Sequence, residues 1–120
     1  MHRGGSRLER GCTFCRIVRG ELEAYFVYRS GGVVAFLDKY PVSRGHTLVV
    51  PTEHYPDLLE APDDVLAELI RVVKAVARAQ VRALGAGGVR VVQNSGAPAG
   101  QVIFHLHFHV IPAYGGAGWG

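Results

Sequence analysis

The chain has 120 residues and a mass of 13.0 kDa, and apolar residues make up 48% of it. This size predicts one domain with a buried core, and the net charge of +3 suits a small anionic ligand better than a nucleic acid, which is not an expected partner. No apolar run is long enough to cross a membrane and no signal peptide is recognisable, so we expect no membrane association and a cytoplasmic location.

Residues 1–11 are rich in Gly and Arg and show no hydrophobic periodicity, which predicts a basic arm ahead of a single domain over residues 12–120. Cys12 and Cys15 open a short helical segment that ends at Gly20. A CxxC pair of this kind is a redox couple, half of a zinc site, or two ordinary buried thiols. The segment lacks the βαβ context of a redox protein, so zinc is favoured, although it needs two further ligands.

Three strands are predicted in the first half of the chain. Tyr25–Ser30 and Val33–Asp38 flank a Gly-Gly pair, which is typical of a β-hairpin, and His46–Pro51 follows as the third strand. Asp38 stands at the end of the second strand, where a carboxylate either hydrogen-bonds a ribose diol or simply forms a turn.

One long amphipathic helix is predicted from Pro62 or Asp63 to about Leu84, and Gly85 should end it. Its apolar residues recur every three or four positions, which predicts a stripe packed on the sheet, formed by Leu66, Leu69, Ile70, Val73, Ala77, Val81 and Leu84. Acidic residues fall in the first turns and basic residues come later, as the helix dipole favours.

A fourth strand, Val89–Gln93, leads into a Gly-rich loop over residues 94–101, whose backbone N–H groups could approach a phosphate closely. The fifth strand is predicted over Phe104–Pro112, because histidine and large apolar residues alternate strictly there. The alternation places His105, His107 and His109 on one face, and Phe104, Leu106, Phe108 and Val110 on the other, buried face.

A row of histidines on one strand fits several functions. The rings could form the solvated outer face of the strand, or they could bind a metal. Alternatively, one neutral imidazole could attack phosphorus while its neighbours hold the phosphate. The three rings span roughly 13 Å along an extended strand, so all three cannot hold one ion without a bend in the chain.

The segment 105–111, with the sequence His-Leu-His-Phe-His-Val-Ile, resembles the signature of the histidine triad (HIT) family of nucleotide hydrolases and transferases, in its CxxC-containing branch. Further blocks resemble the family in the same order: Phe14-Cys15-Arg16-Ile17, Ala35-Phe36-Leu37-Asp38, Gly45-His46-Thr47-Leu48-Val49-Val50-Pro51, Asn94-Ser95-Gly96 and Gly100-Gln101. The resemblance implies an α+β fold with a five-stranded antiparallel sheet, one long helix and a short amino-terminal helix, paired into a homodimer. The residue patterns give the same strands and helices, whereas the dimer comes from the resemblance alone.

The resemblance also implies roles at the phosphate and ribose. His107 would be the nucleophile that attacks the α-phosphorus, and His109 would bind the α-phosphate and stabilise its charge. His105 completes the catalytic triad, and His46 would lie near the phosphate. Asp38 would hold the ribose hydroxyls.

Other positions match the family's base pocket and phosphate loop. Phe14 and Phe36 would line the base pocket, and Asn94 and Gln101 would reach toward ribose or phosphate. Val102 is a departure from the pattern, because many phosphoramide-cleaving members have Ser or Thr there, whose hydroxyl helps the leaving group. This departure argues against efficient phosphoramidase activity.

Family members that keep a CxxC pair tend to bind zinc with two histidines. The matching positions here are Cys12, Cys15, His54 and His105. A Cys₂His₂ set is closed and tetrahedral, so this zinc would be structural. No organic cofactor is implied.

The sequence therefore predicts a hydrolase or transferase that cleaves purine nucleotide derivatives at the α-phosphorus through a nucleotidyl-histidine on His107. The expected substrates are nucleoside phosphoramidates or dinucleoside polyphosphates. Two alternatives stay open: a purine-nucleotide binding or sensor module with weak catalysis, and a metalloenzyme with its metal on His107 and His109.

Overall fold

The computed structural model describes residues 11–115, so the predicted arm before Gly11 and the tail that contains Trp119 lie outside the described residues. The helices and strands follow in chain order: α1 (Thr13–Val18), β1 (Phe26–Arg29), β2 (Val33–Leu37), β3 (Thr47–Pro51), α2 (Asp63–Leu84), β4 (Gly88–Val92) and β5 (Phe108–Ala113). The first four strands lie within one residue of their predicted bounds. Gly85 ends α2 in the left-handed conformation, with a φ of 76°.

The five strands form one antiparallel sheet in the order β1-β2-β3-β5-β4. This confirms the predicted α+β fold with one long helix and one short amino-terminal helix. The strand β5 lies between β3 and β4, so hydrogen-bonded neighbours hold it on both sides. The histidine at position 109 therefore stands on a central strand of the sheet.

Both faces of the sheet are covered. Val33 and Ala35 of β2 pack with Leu69 under α2, whereas Val34 and Phe36 pack with the apolar residues of α1 on the other face. The two cores arise because successive side chains of a strand point to opposite faces. The CxxC motif at the start of α1 is thereby held against the sheet.

The histidine segment differs from the prediction at its start, because β5 begins at Phe108 and not at Phe104. Upstream of Phe108, the N–H of Leu106 donates to the carbonyl oxygen of Tyr55 at 2.7 Å. Tyr55 lies in the loop that follows β3, so this part of the chain contacts that loop and not β3 itself. Phe104 was predicted to be buried and is about half exposed. Leu106, Phe108 and Val110 are buried as predicted.

The predicted stripe of α2 is wrong in part. Ile70 and Val81 are about half exposed, whereas Val72, Val76 and Gln80 are buried. Apolar residues lie on more than one face of this helix, so their periodicity could not select the face that packs on the sheet. No helix within residues 11–115 is long and apolar enough to cross a membrane, and the cytoplasmic location stays a prediction.

Candidate functional site

A cleft of about 1280 Å³ lies between α1, the start of β1, the end of β2 and the loop before β5. This volume is sufficient for an organic ligand larger than most drugs. Seven of the predicted site residues line it: Phe14, Phe36, Asp38, Asn94, Gln101, His107 and His109. The fold therefore brings together side chains that are far apart in the sequence.

His107 has a defined tautomer. Its Nδ1 lies 2.7 Å from the carbonyl oxygen of His105. Because a carbonyl oxygen only accepts, Nδ1 must carry the proton, and Nε2 of the neutral ring keeps its lone pair. Burial lowers the pKa of His107 below its usual value, which favours the neutral ring at pH 7. The ring thus offers an unprotonated nitrogen at the cleft.

His109 has the opposite tautomer, which His46 determines. The N–H of Val42 donates to Nδ1 of His46 at 3.0 Å, so the proton of the neutral His46 ring is on Nε2. This Nε2 lies 3.0 Å from Nδ1 of His109 and donates to it, which leaves the proton of His109 on Nε2. Burial lowers the pKa of both rings. His109 therefore presents an N–H donor to the cleft.

The carboxylate of Asp38 is held in place by two neighbours. Its Oδ1 accepts the N–H of Tyr40 at 2.9 Å, and its Oδ2 lies 3.4 Å from Nε2 of His46. Asp38 thus forms a turn and also lines the cleft, and its contact with a ribose diol stays a prediction. A metal could be held by Asp38, His46 and His109 together. The hydrogen bond between the rings of His46 and His109 already explains why these two rings lie close together.

Two phenylalanines form the apolar wall of the cleft. The rings of Phe14 and Phe36 pack edge to face with centroids 5.6 Å apart. Phe14 also packs edge-on against His107, with centroids 5.1 Å apart. An apolar wall beside hydrogen-bonding groups is typical of pockets for planar organic ligands.

A cluster of two cysteines and two histidines lies behind this wall. Its four ligand atoms are all within 4.8 Å of one another, and Sγ of Cys12 and Sγ of Cys15 lie 3.3 and 3.6 Å from Nδ1 of His105. Sγ of Cys15 is also 3.4 Å from Nδ1 of His54. Nε2 of His105 donates to the carbonyl oxygen of Pro51 at 2.9 Å, so its Nδ1 is free of a proton. These donors fit a tetrahedral zinc ion.

His105 was predicted both in a row with His107 and His109 and in the Cys₂His₂ set, and it lies in the second position. The ring of His105 is fully buried beside Cys12 and Cys15 and does not line the cleft, so the predicted single row of rings is wrong. Burial lowers the pKa of His105 to about 4. His46 is also buried, and it contacts two residues that line the cleft, His109 and Asp38; its expected place near a phosphate stays a prediction. Residues 103–105 form a bend before β5, so His105 does not lie on the same strand as His109.

The amide of Gln101 holds the Gly-rich loop. Its Oε1 accepts the N–H of Gly96 at 2.7 Å, and its Nε2 donates to the carbonyl oxygens of Pro56 and Ile103 at 2.6 and 3.1 Å. A direct contact between this amide and a ligand would break one of these hydrogen bonds. We therefore interpret Gln101 as a residue that shapes the loop, whereas Asn94 lines the cleft beside it.

Several cleft residues were not predicted from the sequence. Tyr25, Lys39 and Tyr40 line the cleft, and both tyrosines are largely exposed. Nothing in the sequence distinguishes such aromatic residues from ordinary surface residues, except that Tyr40 follows Asp38 at the spacing of an Asx turn. Val102 also lines the cleft and is largely exposed.

Comparisons with known proteins agree on one family. The family model described as HIT domain matches residues 19–116. The chain is 55% identical to a hypothetical histidine triad nucleotide-binding protein of Sulfolobus tokodaii, whose crystal structure superposes with a TM-score of 0.85 over 88% of this chain and 70% of that one.

Two further relatives carry information about chemistry. A zinc-bound histidine triad family protein of Mycobacterium smegmatis is 36% identical, with a TM-score of 0.87 over 98% of this chain and 82% of that one. An adenylylsulfatase of Arabidopsis thaliana is 42% identical over 107 residues, which are 89% of this chain and 54% of the relative, so the chain spans about half of that protein. Sequence, fold and the paired histidines of the cleft agree, and the chain belongs to the histidine triad (HIT) family.

Proposed function

We propose that this protein is a nucleotidyl hydrolase or transferase that cleaves purine nucleotide derivatives at the α-phosphorus. The observation that carries the proposal is the 2.7 Å hydrogen bond from Nδ1 of His107 to the carbonyl oxygen of His105, which leaves Nε2 with a lone pair in the cleft. Membership of a family with a histidine triad nucleotide-binding protein supports a nucleotide as the ligand.

The first step is nucleophilic attack by Nε2 of His107. The bond from Nε2 to phosphorus forms, the bond from phosphorus to the leaving group breaks, and the leaving group departs with the electron pair. The positive charge of the resulting imidazolium is stabilised through Nδ1–H by the carbonyl oxygen of His105. In the proposed reaction the N–H of His109 donates to the phosphate oxygens and stabilises their negative charge.

The second step releases the nucleotide. A water oxygen bonds to phosphorus, the electron pair of the phosphorus–nitrogen bond returns to Nε2 of His107, and the proton of the water passes to solvent. A different acceptor in place of water makes the protein a transferase. The covalent route replaces one difficult displacement by two easier ones.

The nucleoside would occupy the remainder of the cleft. The carboxylate of Asp38 is oriented by its turn and can accept hydrogen bonds from the ribose hydroxyls. Phe14 and Phe36 supply the apolar wall against which a purine can pack. Asn94 lines the cleft and offers an amide to ribose or phosphate.

Val102 favours substrates with an anionic leaving group. Its side chain is exposed at the cleft and offers no hydroxyl. An amine needs a proton to depart, whereas a phosphate or sulfate departs as a stable anion, so acid anhydrides such as dinucleoside polyphosphates fit better than phosphoramidates. The adenylylsulfatase relative supports this class, because adenylyl sulfate is a mixed anhydride.

We also propose that the Cys₂His₂ cluster binds a structural zinc ion. The ligands would be Cys12, Cys15, His54 and His105, whose donor atoms lie within 4.8 Å of one another. The zinc-bound relative of Mycobacterium smegmatis supports this metal. No position is left open for a water or substrate in a closed four-ligand set, so the ion would stabilise the fold and not take part in the chemistry.

We further propose that two copies pair through α2 and β4. Ile70 and Val81 lie three helical turns apart on the same side of α2, and both are about half exposed. Val91 of β4, an edge strand of the sheet, is also about half exposed. A small protein gains stability when it buries such apolar residues in a symmetric pair.

The nucleophile assignment predicts a loss of turnover in His107→Asn. The expected fall in kcat is at least about 10³-fold, with little change in nucleotide affinity. Intact-protein mass spectrometry after brief incubation with a diadenosine polyphosphate should find a nucleotidyl adduct on the wild type and none on the variant. The control His109→Asn should react slowly and still form the adduct. Full turnover by His107→Asn would refute the assignment, and nucleotide binding by wild type without any adduct favours the sensor module.

The role of Val102 predicts a substrate-dependent gain in Val102→Ser. The added hydroxyl should raise kcat/KM for a nucleoside phosphoramidate by about tenfold or more, because it can assist the amine. The value for a diadenosine polyphosphate should stay within about twofold. Val102→Ala is the matched control, and its kcat/KM should not rise for either substrate. Equal gains on both substrates would contradict the leaving-group argument.

The zinc proposal predicts about one zinc ion per chain in the purified protein. The double variant Cys12→Ser, Cys15→Ser should lack zinc, and its free energy of unfolding should fall by about 3 kcal/mol or more. Elemental analysis and urea denaturation measure these quantities, and turnover by the folded fraction should be weakened but present. A wild-type protein that contains no zinc after purification without chelators contradicts the proposal.

The dimer predicts a molecular mass of two chains by sedimentation equilibrium. Val81→Glu should shift this mass to one chain, because it places charges in the apolar contact. Val27→Glu is the matched control, because Val27 is 53% exposed and Val81 is 46% exposed. Val27 lies on β1, the edge strand on the other side of the sheet from β4. A monomeric wild type, or dissociation by both variants alike, argues against this surface.

A further inference from the structure

Gln80 is a buried polar residue on α2 that no step of the chemistry above uses. It is 3% exposed and lies on the face of the helix that packs on the sheet, one turn after Val76. The other buried residues of this face are apolar. Burial of an amide side chain among apolar groups destabilises the folded state unless its polar atoms form hydrogen bonds.

The amide nitrogen of Gln80 joins two parts of the backbone. Nε2 donates to the carbonyl oxygen of Gly45 and to that of Val110, each at 3.0 Å. Gly45 directly precedes His46, and Val110 directly follows His109. One side chain therefore holds the backbone next to both members of the hydrogen-bonded histidine pair.

The carbonyl oxygen of Gly45 lies where the ladder between β3 and β5 ends, and the hydroxyl of Thr47 also donates to it at 2.8 Å. Thr47 pairs with Val110, so the same register places Gly45 opposite Pro112. Proline has no N–H and cannot donate to Gly45. The helix also runs very close to this backbone, because a Cβ on Gly45 would lie 2.5 Å from Cδ1 of Leu84.

We propose that Gln80 is a positioning residue that keeps His46 and His109 at hydrogen-bond distance, so that the tautomer imposed on His46 by the N–H of Val42 is passed on to His109. Both partners of its amide are carbonyl oxygens, which only accept, so the nitrogen must face them. Oε1 of Gln80 has no hydrogen-bond partner among the residues that the structure describes. The amide thus acts through its N–H groups alone. The effect on turnover rests on the function proposed above.

The kinetic test uses Gln80→Met, which keeps the length of the side chain and removes both donors. We expect kcat for a diadenosine polyphosphate to fall by about tenfold or more with KM within about twofold, because His109 acts on the charge that develops during reaction. Val76→Ala is the matched control: it removes buried atoms one turn earlier on the same face, and kcat and KM should stay at the wild-type values whatever its effect on unfolding.

A second readout does not depend on turnover. Long-range ¹H–¹⁵N NMR of the histidine rings reports which nitrogen carries the proton. Wild type and Val76→Ala should show His109 protonated on Nε2, whereas Gln80→Met should show a mixture of tautomers. If no nucleotide is turned over by wild type, the proposed function fails, and this readout still decides the role of Gln80.

A graded variant keeps the proposal testable if Gln80→Met does not fold. Gln80→Asn retains the amide but withdraws it by one methylene group, so it should give a smaller loss in kcat and a smaller tautomer shift. The proposal is overturned if the folded variants keep kcat within about twofold of wild type, or if His109 keeps its wild-type tautomer in them. The proposal is also overturned if Val76→Ala lowers kcat as much as Gln80→Met does.

Discussion

The hydrogen bond between Nδ1 of His107 and the carbonyl oxygen of His105 is the contact on which the rest of the site depends. It determines which nitrogen of His107 is available in the cleft. It also connects the cleft to the Cys₂His₂ cluster, because the ring of His105 lies beside the cysteines. Phe14, between Cys12 and Cys15, packs edge-on against His107. The cluster therefore supports the candidate nucleophile through two separate contacts.

Main-chain groups determine the tautomers of the buried histidines. The carbonyl oxygen of Pro51 orients His105, that of His105 orients His107, and the N–H of Val42 orients His46. Such groups are fixed by the fold, so they need no rearrangement when charge develops at the site. Burial acts in the same direction, because it lowers the pKa of these rings and favours their neutral forms.

The strand β5 connects the cleft to the long helix. His109 lines the cleft, and the next residue, Val110, packs in the core beneath α2. Gln80 of α2 reaches back to the carbonyl oxygen of Val110. The cleft and the buried face of α2 thus share one central strand, although they lie on different parts of the molecule. A change in the packing of α2 can therefore alter the position of His109, although α2 itself does not line the cleft.

The sequence by itself determined the first four strands, the two helices and the turn glycine at position 85, because hydrophobic periodicity and turn preferences are local properties. It also identified His107 and His109 as neighbours in one site, and the resemblance identified the Cys₂His₂ set, whereas the strand pattern taken alone placed His105 in the row of rings. Alternation reports side-chain directions only while the chain stays extended, and a hydrogen bond to Tyr55 bends the chain before Phe108. The direction of the Gln80 amide and the tautomers of the histidines were decided only by the tertiary structure, since each depends on backbone groups distant in the sequence.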